Sequence, residues 1–315
     1  MNQPLLQTKQ LTKYFMNRSL FRKTPFRAVH DVTFALNPGE VLAIVGESGS
    51  GKSTLARMIT NLIPASSGEI IYQGESILKN KALQKRLPSL VQMIFQDPFA
   101  TLNPHHTIGY IVGRPLKIAK KSGKNVRERV MELLTSVGLT PAEEVIDKYP
   151  YQLSGGQKQR VMIAKVLGLE PKLIVADEPT SMLDVSIGID IMNLMLDLRE
   201  RHNLAYILIT HNLGSARYMA DHIMVMYAGE IMESGPTESV ISNPRHPYTK
   251  LLLDSSPDPW RKDTEPMEVI EPTGPPPRDE GCSFRHRCPF ARTECAAGPI
   301  PRKQVDQRHE VKCVL

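Results

Sequence analysis

Two short stretches carry the residue types that phosphoryl chemistry needs. The first is GESGSGKST: Gly46, Glu47, Ser48, Gly49, Ser50, Gly51, Lys52, Ser53 and Thr54. Its glycines let backbone N–H groups turn inward around phosphate oxygens, and a helix starting there adds the positive end of its dipole. Lys52 would reach the β- and γ-phosphates. The Ser53 hydroxyl, with Thr54 beside it, would ligate Mg²⁺. The second stretch is LIVADEP, in which Asp177 closes an apolar run and Glu178 follows it. Asp177 could hold Mg²⁺ through its water shell, and Glu178 could point at a water in line with the γ-phosphate. Together they would hydrolyse a nucleoside triphosphate.

A third group stands apart. All four cysteines, Cys282, Cys288, Cys295 and Cys313, fall in the last 34 of 315 residues, spaced C-x5-C-x6-C-x17-C. The chain has no apolar run long enough to span a bilayer and no signal-peptide start, so a cytosolic setting is expected, where clustered thiols bind metal or do redox chemistry. The spacing lacks the short pairs of a zinc ribbon. On softness alone four thiolates suit zinc and an iron–sulfur cluster equally, and they could also stay reduced and empty. His286 and His309 are further possible ligands, read more simply as solvated neighbours.

The elements that must position these residues are legible in outline. EVLAIVGESGSGKSTLARMI reads as a buried strand, a glycine-rich turn and a helix, and KLIVADEPT and LAYILITHN are further buried strands, a pattern that suits a parallel sheet. LLQTKQLTKYF and FRAVHDVTFALNPG alternate like antiparallel strands. Residues 104–165 read helical, with Val130, Leu133, Leu134 and Val137 on one face and Gly138 as a stop. Seven prolines between Pro257 and Pro277 predict an extended linker to the cysteine-bearing tail. At 315 residues with 41% apolar content, two or three domains are expected. The net charge of +6 permits contact with phosphate or an anionic surface. Basic clusters at Arg18, Arg22, Lys23 and Arg27, and at Lys117, Lys120, Lys121 and Lys124, read as solvated faces, and no aromatic interleaving supports a nucleic-acid groove.

Three more motifs narrow the reading: LSGGQ with Ser154, Gly155, Gly156 and Gln157; TSMLD ending at Asp184; and His211 in LITHN. In this order they make the chain, from about residue 10 to 235, resemble the ATP-binding subunit of an ABC transporter. The resemblance implies an α/β P-loop NTPase core (residues 1–95 and 166–250) that carries an antiparallel β subdomain. It implies an inserted helical subdomain (96–165), a proline-rich linker (251–281) and a small metal-binding C-terminal extension (282–315). It also implies roles. Phe15, or the adjacent Tyr14, would stack on adenine. Gln96 would sense Mg²⁺ and the attacking water. Ser154 to Gln157 would close over ATP held by a second subunit. Glu178 would be the general base, Asp184 the D-loop aspartate and His211 the switch histidine.

FQDPFATLNPHHTIG and NPRHPYTKLLL resemble the oligopeptide, dipeptide and nickel importer branch, with Thr101 and Met182 as small departures. This implies a peripheral protein on the cytoplasmic face of the inner membrane. Its partners would be a sister ATPase, two permease subunits docked near residues 97–104 and an external solute-binding protein. Peptides are the expected cargo, with short oligosaccharides or nickel chelates as alternatives. Soluble translation and repair factors share these motifs, but those carry two cassettes or a coiled-coil insertion, and this chain has neither. The tail resembles the extension of dipeptide-type subunits that holds a [4Fe–4S] cluster, with zinc as the alternative.

Overall fold

The computed structural model describes residues 3–18, 23–120, 125–255, 281–306 and 308–315, with 270, 274 and 276–277 between them. Arg22, Lys121, Lys124 and most of the proline-rich stretch lie outside the described residues. The chain divides into two compact units, one of residues 1–80 and 208–315, the other of residues 81–207.

The first unit opens with β1 (Leu6–Arg18) and β2 (Lys23–Leu36), which pair antiparallel. Leu6, Leu11, Val29, Val32 and Leu36 enter the core with no exposure, and the irregularities in register between Thr8 and Lys13 reset the alternation of faces along the pair. Next, β3 (Val41–Val45) is buried at all five positions, and α1 (Lys52–Ile59) begins after the glycine turn. β4 (Ser67–Tyr72) and β5 (Glu75–Ser76) complete a sheet of order β2-β1-β4-β5. The cluster expected to be solvated has an exception in Arg27. Its side chain is 11% exposed and pairs with Glu230 at 3.4 Å, because β2 turns it inward against a buried carboxylate that needs a counter-charge.

The second unit contains α2 (Lys81–Leu90), β6 (Val91–Ile94), α3 (Pro98–Thr101), α4 (Ile108–Ile118) and α5 (Val126–Ser136). It continues through α6 (Ala142–Val145), α7 (Gly155–Leu167), β7 (Leu173–Asp177) and α8 (Val185–His202). Thr107 caps α4 and Asn125 caps α5, each by accepting backbone N–H groups of the first turn. α5 buries Val130, Leu133 and Leu134 and stops before Gly138, whose φ of 75° is the left-handed conformation common after a helix end. β6 and β7 run parallel, from Val91 opposite Leu173 to Ile94 opposite Ala176.

β8 (Ala205–Thr210), buried throughout, returns the chain to the first unit. There follow α9 (Leu213–Met219), β9 (His222–Tyr227), β10 (Glu230–Pro236), α10 (Thr237–Ser242), α11 (Pro247–Asp254), β11 (Lys303–Asp306) and β12 (His309–Val311). Within this unit β3 pairs parallel with β9, β9 antiparallel with β10, β10 with β12 and β12 with β11. The described part of the tail packs as part of the first unit. It lends two strands to the sheet, and Cys282, Phe284, Cys288, Cys295 and Ile300 share one buried cluster with Val45, Tyr227 and Tyr248. Too short to bury a core of its own, it borrows that of the first unit.

Candidate functional site

In the first unit the phosphate-binding pattern forms a turn between β3 and α1. Gly46 has φ 151° and Gly51 φ 107°. A Cβ on Gly46 would stand 2.1 Å from the Met226 carbonyl oxygen, and one on Gly51 2.4 Å from that of Ala28, so only glycine fits at either place. Lys52 is 6% exposed. Its Nζ donates to the carbonyls of Gly46 at 2.7 Å and Glu47 at 2.8 Å, and to Ser50 Oγ at 3.4 Å. A cation held inside such a turn, at a helix N-terminus, is suited to phosphoryl oxygens. Ser53 and Thr54 lie in the first turn of α1, half-buried, while Ser48 and Gly49 are exposed.

Glu47 has two partners that the sequence did not announce. Its N–H donates to Tyr248 Oη at 2.9 Å, and its carboxylate accepts from Arg287 Nη1 at 2.8 Å.

Also in the first unit, His211 lies exposed just past β8. The turn there is set by the next residue. The Asn212 N–H donates to Thr210 Oγ1 at 3.0 Å, and its side chain caps α9 by accepting from the Ser215 N–H at 3.1 Å.

In the second unit the parallel register decides the geometry. Ile94 is opposite Ala176, so two residues further on Gln96 comes opposite Glu178. Gln96 Nε2 donates to Glu178 Oε2 at 2.9 Å. Asp177, the last residue of β7, is 6% exposed. Glu178 has φ 48°, a backbone conformation uncommon outside glycine and concentrated at functional sites.

Ser154 caps α7 reciprocally with Gln157: its Oγ accepts from the Gln157 N–H at 3.3 Å, while its own N–H donates to Gln157 Oε1 at 3.0 Å. A Cβ on Gly156 would lie 2.7 Å from Ile187 Cγ2, and one on Gly155 3.2 Å from Leu183 Cδ2, which ties both glycines to the start of α8. Asp184 is the N-cap residue of α8. Beside it Met182 and Val185 are 54% and 81% exposed.

Phe15 lies on β1 opposite Phe26, 40% exposed, with Lys13 Nζ 5.2 Å from its ring centre. Tyr14 instead lines a cavity of about 530 Å³ with Arg27, His30, Glu230, Arg302 and Lys312.

The four cysteines are free, buried and line a single narrow pocket. Burial pushes the Cys282 thiol up to about 11, and the nearby Cys295, Cys313 and Cys288 add to the effect. Burial likewise raises Cys288. Among the described residues no group of three or more His, Cys, Asp or Glu is arranged to hold a metal ion.

The two histidines named from the sequence are engaged elsewhere. His309 Nε2 faces Glu233 at 2.7 Å, and His286 Nδ1 faces the Ser283 carbonyl at 3.1 Å. The pocket is lined instead by His246, which sequence reasoning missed. It is 1% exposed, burial depresses its pKa to about 3, and its Nε2 has no hydrogen-bond partner among the described residues.

Comparison with known proteins agrees with this layout. Residues 29–181 match the family model described as ABC transporter, and residues 232–295 match the one described as oligopeptide/dipeptide transporter, C-terminal region. The chain is 41% identical to the di/tripeptide transport ATP-binding protein DppF of Pseudomonas aeruginosa, over 98% of this chain and 97% of that one. It is 43% identical to the oligopeptide transport ATP-binding protein OppF of Haemophilus influenzae, over 95% of this chain and 92% of that one. Among solved structures it resembles cbiO1 from Clostridium perfringens, described as part of an ABC transporter complex. That match has TM-score 0.67 and 29% identity, and covers 77% of this chain and 92% of the other. It also resembles the dimeric ATP-binding cassette MJ0796 bound to ADP and Pi, with TM-score 0.64 and 30% identity, over 74% of this chain and 98% of the other.

Proposed function

The chain belongs to the ABC transporter ATP-binding proteins, and from that premise we propose that it powers import of di-, tri- or oligopeptides through a membrane permease. The observation that carries the chemistry is the Gln96–Glu178 hydrogen bond at the ends of two parallel strands. It fixes a carboxylate one residue beyond Asp177. Lys52 and the turn amides bind the phosphates of ATP, and Phe15 stacks on the adenine. Mg²⁺, when bound, neutralises charge on the phosphates, and Ser53, Gln96 and Asp177 are the residues that would hold it. Glu178 accepts a proton from the attacking water, and His211 keeps that water in register.

Ser154 to Gln157 and Asp184 serve a second ATPase chain, an arrangement supported by the exposed apolar side chains of Met182 and Val185 next to Asp184. We assign residues 1–95 and 166–250 to the catalytic core and 96–165 to the helical part that meets the permease. The exposed rings of Tyr110 (45%) and Tyr151 (69%) lie within the latter. No described helix is long and apolar enough to cross a membrane, which supports peripheral attachment to permease subunits.

The test is recovery of two permease proteins and a sister ATPase with the tagged chain from detergent-solubilised membranes, followed by peptide-dependent ATPase activity in vesicles. Recovery with ribosomes or DNA, and no peptide dependence, would overturn the reading.

The cysteine pocket favours one further assignment. Four buried thiols lining one pocket, with an orphaned imidazole nitrogen beside them, fit the donor set of an iron–sulfur cluster. Cys282, Cys288, Cys295 and Cys313 would hold it, and it would supply a cross-link to the tail. Protein purified without oxygen should then contain about four irons and four sulfides per chain. About one zinc and no iron would replace this assignment with a structural zinc site.

A further inference from the structure

Glu47 is the first variable residue of the phosphate-binding turn, and each of its polar groups is held. Its carbonyl accepts from Lys52 Nζ at 2.8 Å and from the Ser50 N–H at 3.2 Å. Its N–H and its carboxylate are taken by Tyr248 and Arg287, which come 201 and 240 residues later in the chain. Tyr248 is fully buried in α11. Arg287 precedes Cys288 in the tail. Their rings and charges form one unit. Tyr227 packs on Tyr248 at 4.6 Å and on Phe284 at 5.3 Å between centroids, and Tyr248 meets Phe284 at 5.3 Å. The Arg287 guanidinium lies 5.9 Å from the Tyr227 ring centre and 5.7 Å from that of Phe284.

Most surface ion pairs contribute little, because two long side chains must be immobilised. This one differs in its cation. The Arg287 side chain is 17% exposed and is set in place by aromatic faces, so little freedom remains to be lost on pairing. Any shift of Glu47 also moves the carbonyl on which Lys52 rests.

We propose that the cysteine-bearing tail is a brace for the phosphate-binding turn. Arg287 and Tyr248 act as positioning residues that hold Glu47, and through it Lys52 and the turn amides, in the shape that accepts ATP. The affinity for ATP is thereby tied to the folded state of a segment that carries none of the nucleotide-binding motifs. This rests on the ATPase reading above.

The experiment measures Mg–ATP binding by the full chain calorimetrically, and kcat and KM by phosphate release. Arg287→Gln should weaken binding and raise KM by roughly five- to twentyfold, a part of the worth of one charge-assisted hydrogen bond because Arg287 acts through Glu47, with kcat within about twofold. Arg287→Lys should recover part of the loss. Adding Arg287→Gln to Glu47→Gln should weaken binding no further than Glu47→Gln alone. A brace that served stability only would lower the melting temperature and the active fraction and leave KM unchanged. If Arg287→Gln does not fold, Tyr248→Phe, which removes one oxygen, should still raise KM. A folded Arg287→Gln with wild-type affinity, or losses that add, would overturn the proposal. A wild-type chain that binds no Mg–ATP would overturn the ATPase reading instead.

Discussion

Gln96 and Glu178 stand 82 residues apart in sequence, yet the Gln96 amide donates to the Glu178 carboxylate at 2.9 Å. The contact follows from the β6/β7 register, and it orients the carboxylate that accepts a proton from water. Glu178→Gln should therefore keep Mg–ATP binding and lose turnover by a factor on the order of 10²–10⁴. Single-turnover phosphate release alongside equilibrium binding separates the two. Near-normal turnover would remove Glu178 from the role of base.

The same contact gives a pH prediction. In Gln96→Glu a second carboxylate faces the first, and each opposes ionisation of the other. The base must be deprotonated to work. Turnover should fall below wild type and recover as pH increases. A pH–rate profile of kcat without that recovery would refute the coupling.

Gly156 is held to hydrogen by Ile187, whose Cγ2 would lie 2.7 Å from an added Cβ. Gly156→Ala should push the start of α7 away from α8. Hydrolysis should drop at least tenfold, while ATP binding at the chain's own turn survives. Ile187→Ala in the same chain should restore part of the activity. Loss of binding equal to loss of turnover would contradict this.

His30 lies partly buried on β2, and its Nδ1 has no hydrogen-bond partner among the described residues. Burial first, then the charge of Arg27, holds its pKa below the usual imidazole value. The unfolded chain thus takes up a proton on acidification before the folded one does. Stability at this position is fully present above the ordinary histidine pKa and declines as pH falls from there towards the lowered folded value. His30→Gln should flatten that part of the melting temperature against pH curve, and an unchanged slope would place the titration elsewhere.

The local parts of this molecule were readable from sequence. The glycine turn, the Asp177–Glu178 strand end and the stop at Gly138 all depend on spacings of a few residues, which sequence records directly. What escaped has contact partners far away in the chain. Nothing near Glu47 signals Tyr248 or Arg287, and nothing near His246 signals the thiols it joins. Arg27 looked like one of a solvated group because its counter-charge, Glu230, comes 203 residues later. The tail was read as a small metal-binding extension, and only the tertiary structure reveals whose core its few apolar residues enter.

That shared architecture has a consequence for biogenesis. β10 is flanked by β9 on one side and by β12 on the other, with Glu233 opposite Val311. While the chain is being made, β10 emerges well before β12 and presents an open row of backbone N–H and C=O groups. Such an edge is a template for pairing with other chains until it is covered. Once β12 and β11 are in place the outermost strand is Lys303–Asp306, with all four residues exposed and a charge at each end, a poor surface for further addition. A nascent chain halted in the proline-rich stretch would thus be a substrate for chaperones or a seed for aggregates, even with every ATP-binding motif already complete.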